Sequence, residues 1–189
     1  MSSKIILPQT LQVGAGASSE IGSILKSMGL HRPLIVTDKI MVQLGYINTV
    51  REHLNDVGIS SEVFDDTVPE PTVRSIQAGV DKVRGGNFDA IIALGGGSPI
   101  DSAKAISILG TYGGEMRDYK FPRIVDEPGL PIFAIPTTAG TGSEVTKFTI
   151  ITDETTDEKM LCLGTGFMPT AALVDFELSL SVPARTTAD

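Results

Sequence analysis

Along this chain, short and largely apolar runs alternate with longer stretches in which apolar residues recur every three or four positions. The short runs lie at 11–13, 33–37, 61–64, 90–94, 132–135 and 171–174, and most end at glycine, proline or an acid. Runs of that length between turn residues predict strands. The periodic stretches predict helices. Ile21, Ile24, Leu25 and Met28 share one face of a helix over 20–28, with Ser18 or Ser19 as its cap and Gly29 as its stop. A second helix covers 50–57 and ends at Gly58; a third is capped by Thr72, runs through Val83 and stops at Gly85 and Gly86. Residues 113–131, rich in Gly, Pro and charge, predict an irregular connection. The runs at 148–152 and 159–163 flank an acidic turn and predict a hairpin.

Strands alternating with helices imply parallel βαβ units, hence an α/β fold with a doubly wound, Rossmann-like sheet. Such sheets bind ligands beyond the carboxyl ends of their strands, at the point where the strand order reverses. The chain is organised around one stretch of this pattern. Residues 90–94 are uninterruptedly apolar, as in a strand buried on both faces. Gly95, Gly96 and Gly97 follow, then Ser98 as a helix cap, Pro99 at the first helical position and Asp101 where a capping-box acid would sit. A turn without side chains lets a ligand approach the backbone, and the amides of a helix start favour an anion, so phosphate is the expected guest. Glycine turns of this kind also occur without a ligand, and the three glycines alone leave both readings open.

Asp38 follows the strand at 33–37. An acid there can accept from both ribose hydroxyls of an adenosine, which favours NAD over NADP; it can equally cap the next turn. Gly14 and Gly16 precede Asp38 at about the interval of a dinucleotide fingerprint, but the third glycine is replaced by Ser19, which ranks this turn below the later one. Thr137, Thr138 and Ser143 offer hydroxyl and amide donors in a glycine-rich loop, where purely structural turns are also common. Asp38, Gly95, Gly96, Gly97, Ser98, Thr137 and Thr138 all sit just after apolar strands and should line one crevice. Lys159, beyond the acidic turn, reads by itself as a solvated lysine.

Composition narrows the options. The chain has 189 residues, 41% hydrophobic and 20% charged, enough for one domain with a sizeable core. A formal charge of −8 argues against nucleic acid or an anionic membrane as partner. The N-terminus carries one lysine and a three-residue apolar run and is expected to be no signal peptide, which with the single Cys162 points to the cytoplasm. Cys162 reads as a buried small hydrophobe. His31 and His53, the only histidines, form no pair with metal-ligand spacing. Spacing alone thus predicts a nucleotide-binding chain with no visible catalytic group.

Several stretches together resemble a known family. GGGSPIDSAKA (95–105), IPTTAGTGSEVT (135–146), ITDE (151–154) with Lys159, and LVDFELSLSVPARTTAD near the end are similar to the iron-containing alcohol dehydrogenases, which include lactaldehyde and 1,3-propanediol reductases. The resemblance implies a cofactor-binding α/β domain over 1–189, its residues from 175 onward beginning the connection to a helical domain that binds iron or zinc. It implies hydride transfer between a primary alcohol or aldehyde and NAD, assisted by that metal. It further implies that Gly95, Gly96, Gly97 and Ser98 cradle the pyrophosphate and that Asp38 holds the adenosine ribose. Thr137, Thr138, Ser143 and Lys159 would line the rest of the site, with Asp101 facing the nicotinamide. Two positions depart from the family pattern: Glu70 stands in PEPT where Asn is usual, and Phe176 follows Asp175 where Pro is usual. The family's metal ligands would follow Asp189, which is not itself one of them, so the chain is expected to be the cofactor half alone and to have no turnover of its own. That reading predicts apolar surface over 176–182 and self-association into a homo-oligomer. A non-catalytic nucleotide- or phosphate-binding module remains an alternative, as does a glycerol- or dehydroquinate-type member of the same superfamily.

Overall fold

A computed structural model describes residues 5–183. Six parallel strands form the main sheet: β1 (Thr10–Val13), β2 (Pro33–Val36), β3 (Glu62–Phe64), β4 (Ala90–Gly95), β5 (Ile132–Pro136) and β8 (Ala171–Val174). Their order across the sheet is β1-β8-β5-β4-β2-β3. The remaining pair, β6 (Phe148–Asp153) and β7 (Glu158–Leu163), is the antiparallel hairpin anticipated around the acidic turn.

Strands β2, β4 and β5 are buried at every position, which is why their sequences are continuous apolar runs. Successive residues point to opposite faces and so feed two cores. Leu34, Val36, Ile91 and Ala93 face one core, with α4 (Val73–Gly85) and α5 (Gly97–Tyr112); Ile35, Ile92, Leu94 and Ile135 face the other, with α1 (Ile21–Ser27) and α3 (Tyr46–Asn55). Two covered faces make the sheet doubly wound, as expected from the alternation of strand and helix. The buried inner side of the hairpin, Thr149, Ile151, Met160 and Cys162, closes over α5. Helix α5 is therefore enclosed on nearly all sides, and its apolar residues Ile100, Ala103, Ile106 and Leu109 all lie in one core.

The structure departs from the expected helix starts. The helix expected over 20–28 begins as a 3-10 turn, Ala17–Glu20, and neither serine caps it. The Ser18 hydroxyl donates instead to Asp175 Oδ2 at 2.7 Å, and that of Ser19 to the Gly16 carbonyl. Nor is Ser98 a cap: α5 starts two residues earlier than expected, with Gly96 in the cap position and no side-chain cap at all. The capping box expected of Asp101 is absent too, because its carboxylate reaches out to the hairpin and accepts from the Ile150 amide at 3.3 Å. Thr72 does cap α4, and Ser75 completes a capping box there. Between β2 and α3 lies a further short helix, α2 (Lys39–Gln43), that the apolar pattern did not reveal. The connection over 113–131 is irregular apart from a 3-10 turn, Met116–Tyr119. The chain after Pro183, including Asp189, lies outside the described residues.

Candidate functional site

The strand order reverses between β2 and β4, since β2 is followed outward by β3 and β4 by β5 on the other side. The carboxyl ends of those two strands frame a crevice. Gly95 closes β4 with φ of 141°, and a Cβ there would lie 2.7 Å from the Pro99 ring, so only glycine suits the turn. A Cβ on Gly96 would meet Thr138 Oγ1 at 3.1 Å, and one on Gly97 would meet Thr141 Cβ at 3.3 Å. The loop after β5 thus packs directly on the glycine turn, helped by a backbone bond from the Thr137 amide to the Gly95 carbonyl. The first amides of α5 have no acceptor within the helix. With no side chain capping them, they face the crevice bare.

Asp38 follows β2 and serves as a cap after all. Its Oδ1 accepts from the amides of Ile40 and Met41 at 2.8 and 3.0 Å. The other oxygen, Oδ2, lies 3.6 Å from where a Gly95 Cβ would be, so one carboxylate oxygen holds α2 while the other faces the glycine turn.

The crevice opens into two cavities that share Gly97 and Ser98. The larger, about 620 Å³, lies between α2, the glycine turn and residues 181–183, with Asp38, Ile40, Leu44, Thr138 and Val182 among its walls. Residues 181–183 are tied to α3 by a hydrogen bond between the hydroxyls of Tyr46 and Ser181, 2.9 Å apart. The smaller cavity, about 220 Å³, reaches the other way, past Asp101 and Ile150 to Glu70 and Lys159. Lys159 is exposed, as expected of a solvated lysine, and pairs with the equally exposed Glu70 at 3.2 Å. Glu70, the residue that departs from the family pattern, takes φ of 54°, a left-handed conformation in which Asn is more at ease than Glu.

All ten residues singled out in the sequence therefore gather at one crevice. Asp38, Gly96, Gly97, Ser98, Thr137 and Thr138 line the larger cavity; Asp101 and Lys159 line the smaller. Gly95 supports the turn from β4, and the Ser143 hydroxyl lies 3.4 Å from where a Gly97 Cβ would be. The hydroxyls of Thr137 and Thr138 are buried with no hydrogen-bond partner among the described residues. A buried polar group left unpaired costs about 1–3 kcal/mol. Two of them beside bare amides suit a guest rich in acceptor oxygens, which a dinucleotide's diphosphate supplies.

Sequence reading passed over Lys104. Although fully buried, its ammonium donates to the carbonyls of Thr146 and Phe148 at 2.9 and 2.8 Å and to the Thr146 hydroxyl at 3.3 Å. It thereby fastens the end of the 137–146 loop, and the start of β6, to α5. Burial lowers its pKa from the ordinary 10.5 to about 8, against the opposing pull of Asp101 and Glu144. Burial also raises the pKa of Asp101, opposed by Lys104, the Ile150 amide and Ser143. A cation among the apolar residues of α5, three residues after Asp101, was the available signal.

The competing glycine turn is already filled. Gly16 N donates to Asp175 Oδ1 at 3.1 Å, and Ser18 N to Oδ2 at 3.2 Å, so a carboxylate of the chain itself sits where a phosphate would. Burial pushes the Asp175 carboxyl up, but the donations from Ser18, Glu177 and Gly16 outweigh it and leave the pKa lowered. Around the start of the connection, Phe176 and Leu180 are exposed while Leu178 is buried. Cys162 is buried as expected, and burial pushes its thiol up to about 12, far from a reactive thiolate. Among the described residues no group of three or more His, Cys, Asp or Glu is placed to hold a metal ion, and no helix is long and apolar enough to cross a membrane.

Sheet order and crevice together define an α/β protein of the Rossmann-like class. Within that class the assignment is specific: residues 8–176 match the model of the iron-containing alcohol dehydrogenase family, and the chain belongs to it. It is 38% identical over 181 residues to the NAD-dependent methanol dehydrogenase of Bacillus methanolicus, covering 96% of this chain and 48% of that protein. It is 35% identical to the lactaldehyde reductase of Escherichia coli K12, covering 97% of this chain and 48% of the relative. Among solved structures, the sulfoacetaldehyde reductase of Bifidobacterium kashiwanohense in complex with NAD+ superposes with a TM-score of 0.91 at 35% identity, covering all of this chain and 50% of that one. A 1,3-propanediol oxidoreductase superposes at 0.94 with 31% identity, covering 100% and 49%. The chain spans about half the length of the relatives it matches.

Proposed function

We propose that this chain is the NAD-binding α/β domain of a cytoplasmic oxidoreductase that moves hydride between a primary alcohol or aldehyde and the nicotinamide ring. The domain comprises residues 1–189, with the stretch from 175 beginning a connection onward. The observation that carries this reading is the pair of threonine hydroxyls, Thr137 and Thr138, buried without a partner among the described residues, on a loop that lines one cavity with the glycine turn and uncapped start of α5. When bound, NAD supplies the hydride acceptor. The chain's own residues do the holding. Amides of Gly97 and Ser98 take the diphosphate, and Thr137 and Thr138 add hydroxyl donors. Asp38 accepts from the adenosine ribose through the oxygen that does not cap α2. Its charge would repel a 2′-phosphate, which sets NAD above NADP.

The described residues offer no ligand set for the family metal. With ferrous or zinc ions, NAD and 1,2-propanediol, the purified chain by itself is expected to give no sustained NADH signal; steady production would overturn that expectation. The cofactor assignment is tested by titrating NAD and NADP into the chain and into Asp38→Gly. Glycine keeps most of the cap's worth, so the fold should hold. The affinity ratio should move about tenfold or more toward NADP, as removal of one opposed charge at short range implies. An unchanged ratio would remove the ribose role from Asp38.

A further inference from the structure

We infer that the smaller cavity discriminates between the two redox forms of the cofactor by charge, favouring the cationic oxidised ring over the neutral reduced one. This rests on the proposed function above. Because both cavities share Gly97 and Ser98, a dinucleotide pinned there by its diphosphate places one end in each. The larger cavity has the room, the apolar walls Ile40, Leu44 and Val182, and the acceptor Asp38 that an adenosine uses. The nicotinamide end is left to the smaller one.

The ionisable groups lining that cavity are Glu70, Asp101 and Lys159, a formal charge of −1. Lys159 is already matched by Glu70 at 3.2 Å. Asp101 has no direct ion pair: its carboxylate accepts from two neutral donors, the Ile150 amide at 3.3 Å and the Ser143 hydroxyl, which leave its charge in place. The buried cation Lys104 pulls on Asp101 electrostatically but gives its hydrogen bonds to Thr146 and Phe148. Glu144, on the loop beyond Ser143, adds a second negative charge to the field around Lys104. A carboxylate shielded from water acts more strongly on a nearby charge than an exposed one does. The oxidised ring carries that charge and the reduced ring does not. Asp101 therefore lowers the dissociation constant for NAD+ and leaves that for NADH nearly unchanged, which shifts the equilibrium of the bound cofactor toward its oxidised form.

The test measures dissociation constants for NAD+, NADH and ADP-ribose, which lacks the ring, on the unaltered chain, on Asp101→Asn and on Glu70→Gln. In Asp101→Asn, NAD+ should weaken relative to NADH by roughly tenfold, the scale of one charge pair in a half-shielded site. ADP-ribose should stay within about twofold, because the glycine turn and the adenosine cavity are untouched. Asn can still accept from the Ile150 amide, so the hairpin contact survives. Glu70→Gln, at an exposed position, should shift the same ratio in the same direction by a smaller factor, and it carries the test if Asp101→Asn does not fold. An unchanged NAD+/NADH ratio in both variants overturns the inference, as does a loss of ADP-ribose equal to that of NAD+. Failure of the unaltered chain to bind any of the three would instead bring down the cofactor reading itself.

Discussion

Replacing Lys104 with methionine should lower the unfolding free energy by about 3 kcal/mol, the scale seen when one partner of a buried charged network is removed. Methionine is of similar length and apolar but donates nothing, so the carbonyls of Thr146 and Phe148 lose the donor that Lys104 supplies. The pH dependence distinguishes this from a packing defect. Lys104 has a pKa of about 8 in the folded chain and about 10.5 when unfolded. Between those values the unfolded chain binds more protons, so the stability of the unaltered chain rises with pH across that window. The variant lacks that increment, and the gap between the two should widen from pH 8 toward 10.5. Urea unfolding of both proteins across this range measures it. A gap that is constant or shrinks would mean that the ammonium is not held as the structure shows.

The second large effect is on binding. Gly97→Val should weaken NAD by roughly 30-fold or more, equivalent to losing one or two charge-assisted amide bonds of about 1.5–3 kcal/mol each. The new side chain would press on Thr141 and Ser143 and fill the space above the first amides of α5. Backbone conformation is not the obstacle, because Gly97 lies within a regular helix turn, where valine costs less than about 1 kcal/mol. The melting temperature should fall somewhat from the pressure on Thr141 and Ser143, while the variant stays folded and the affinity collapses. Titration of NAD into the folded variant decides the matter; retained affinity would relocate the diphosphate away from this turn.

What the sequence disclosed and what it withheld have physical causes. The strands were legible because β2, β4 and β5 are buried on both faces, which leaves no polar position to break the run. Their order was not. Nothing local in Leu11 or Val13 says that β1 pairs with β8, more than 150 residues away, to form the sheet edge. The site was legible because its members each follow an apolar strand, and a doubly wound sheet brings those ends together. Ser98 misled because serine is a common cap, whereas the helix starts on glycine with its amides left bare. Lys104 and the Glu70–Lys159 pair stayed hidden because their partners lie 42 to 89 residues away, and only tertiary contact reveals them.

The turn at Gly14 and Gly16 carries a wider lesson about such loops. Asp175, in taking the amides of Gly16 and Ser18, plugs a seat that a travelling anion would otherwise contest, and with the same bonds it stitches the margin of the sheet shut. Two glycine turns have thus been given opposite fates, one capped by a distant carboxylate of the chain and one with no side-chain cap.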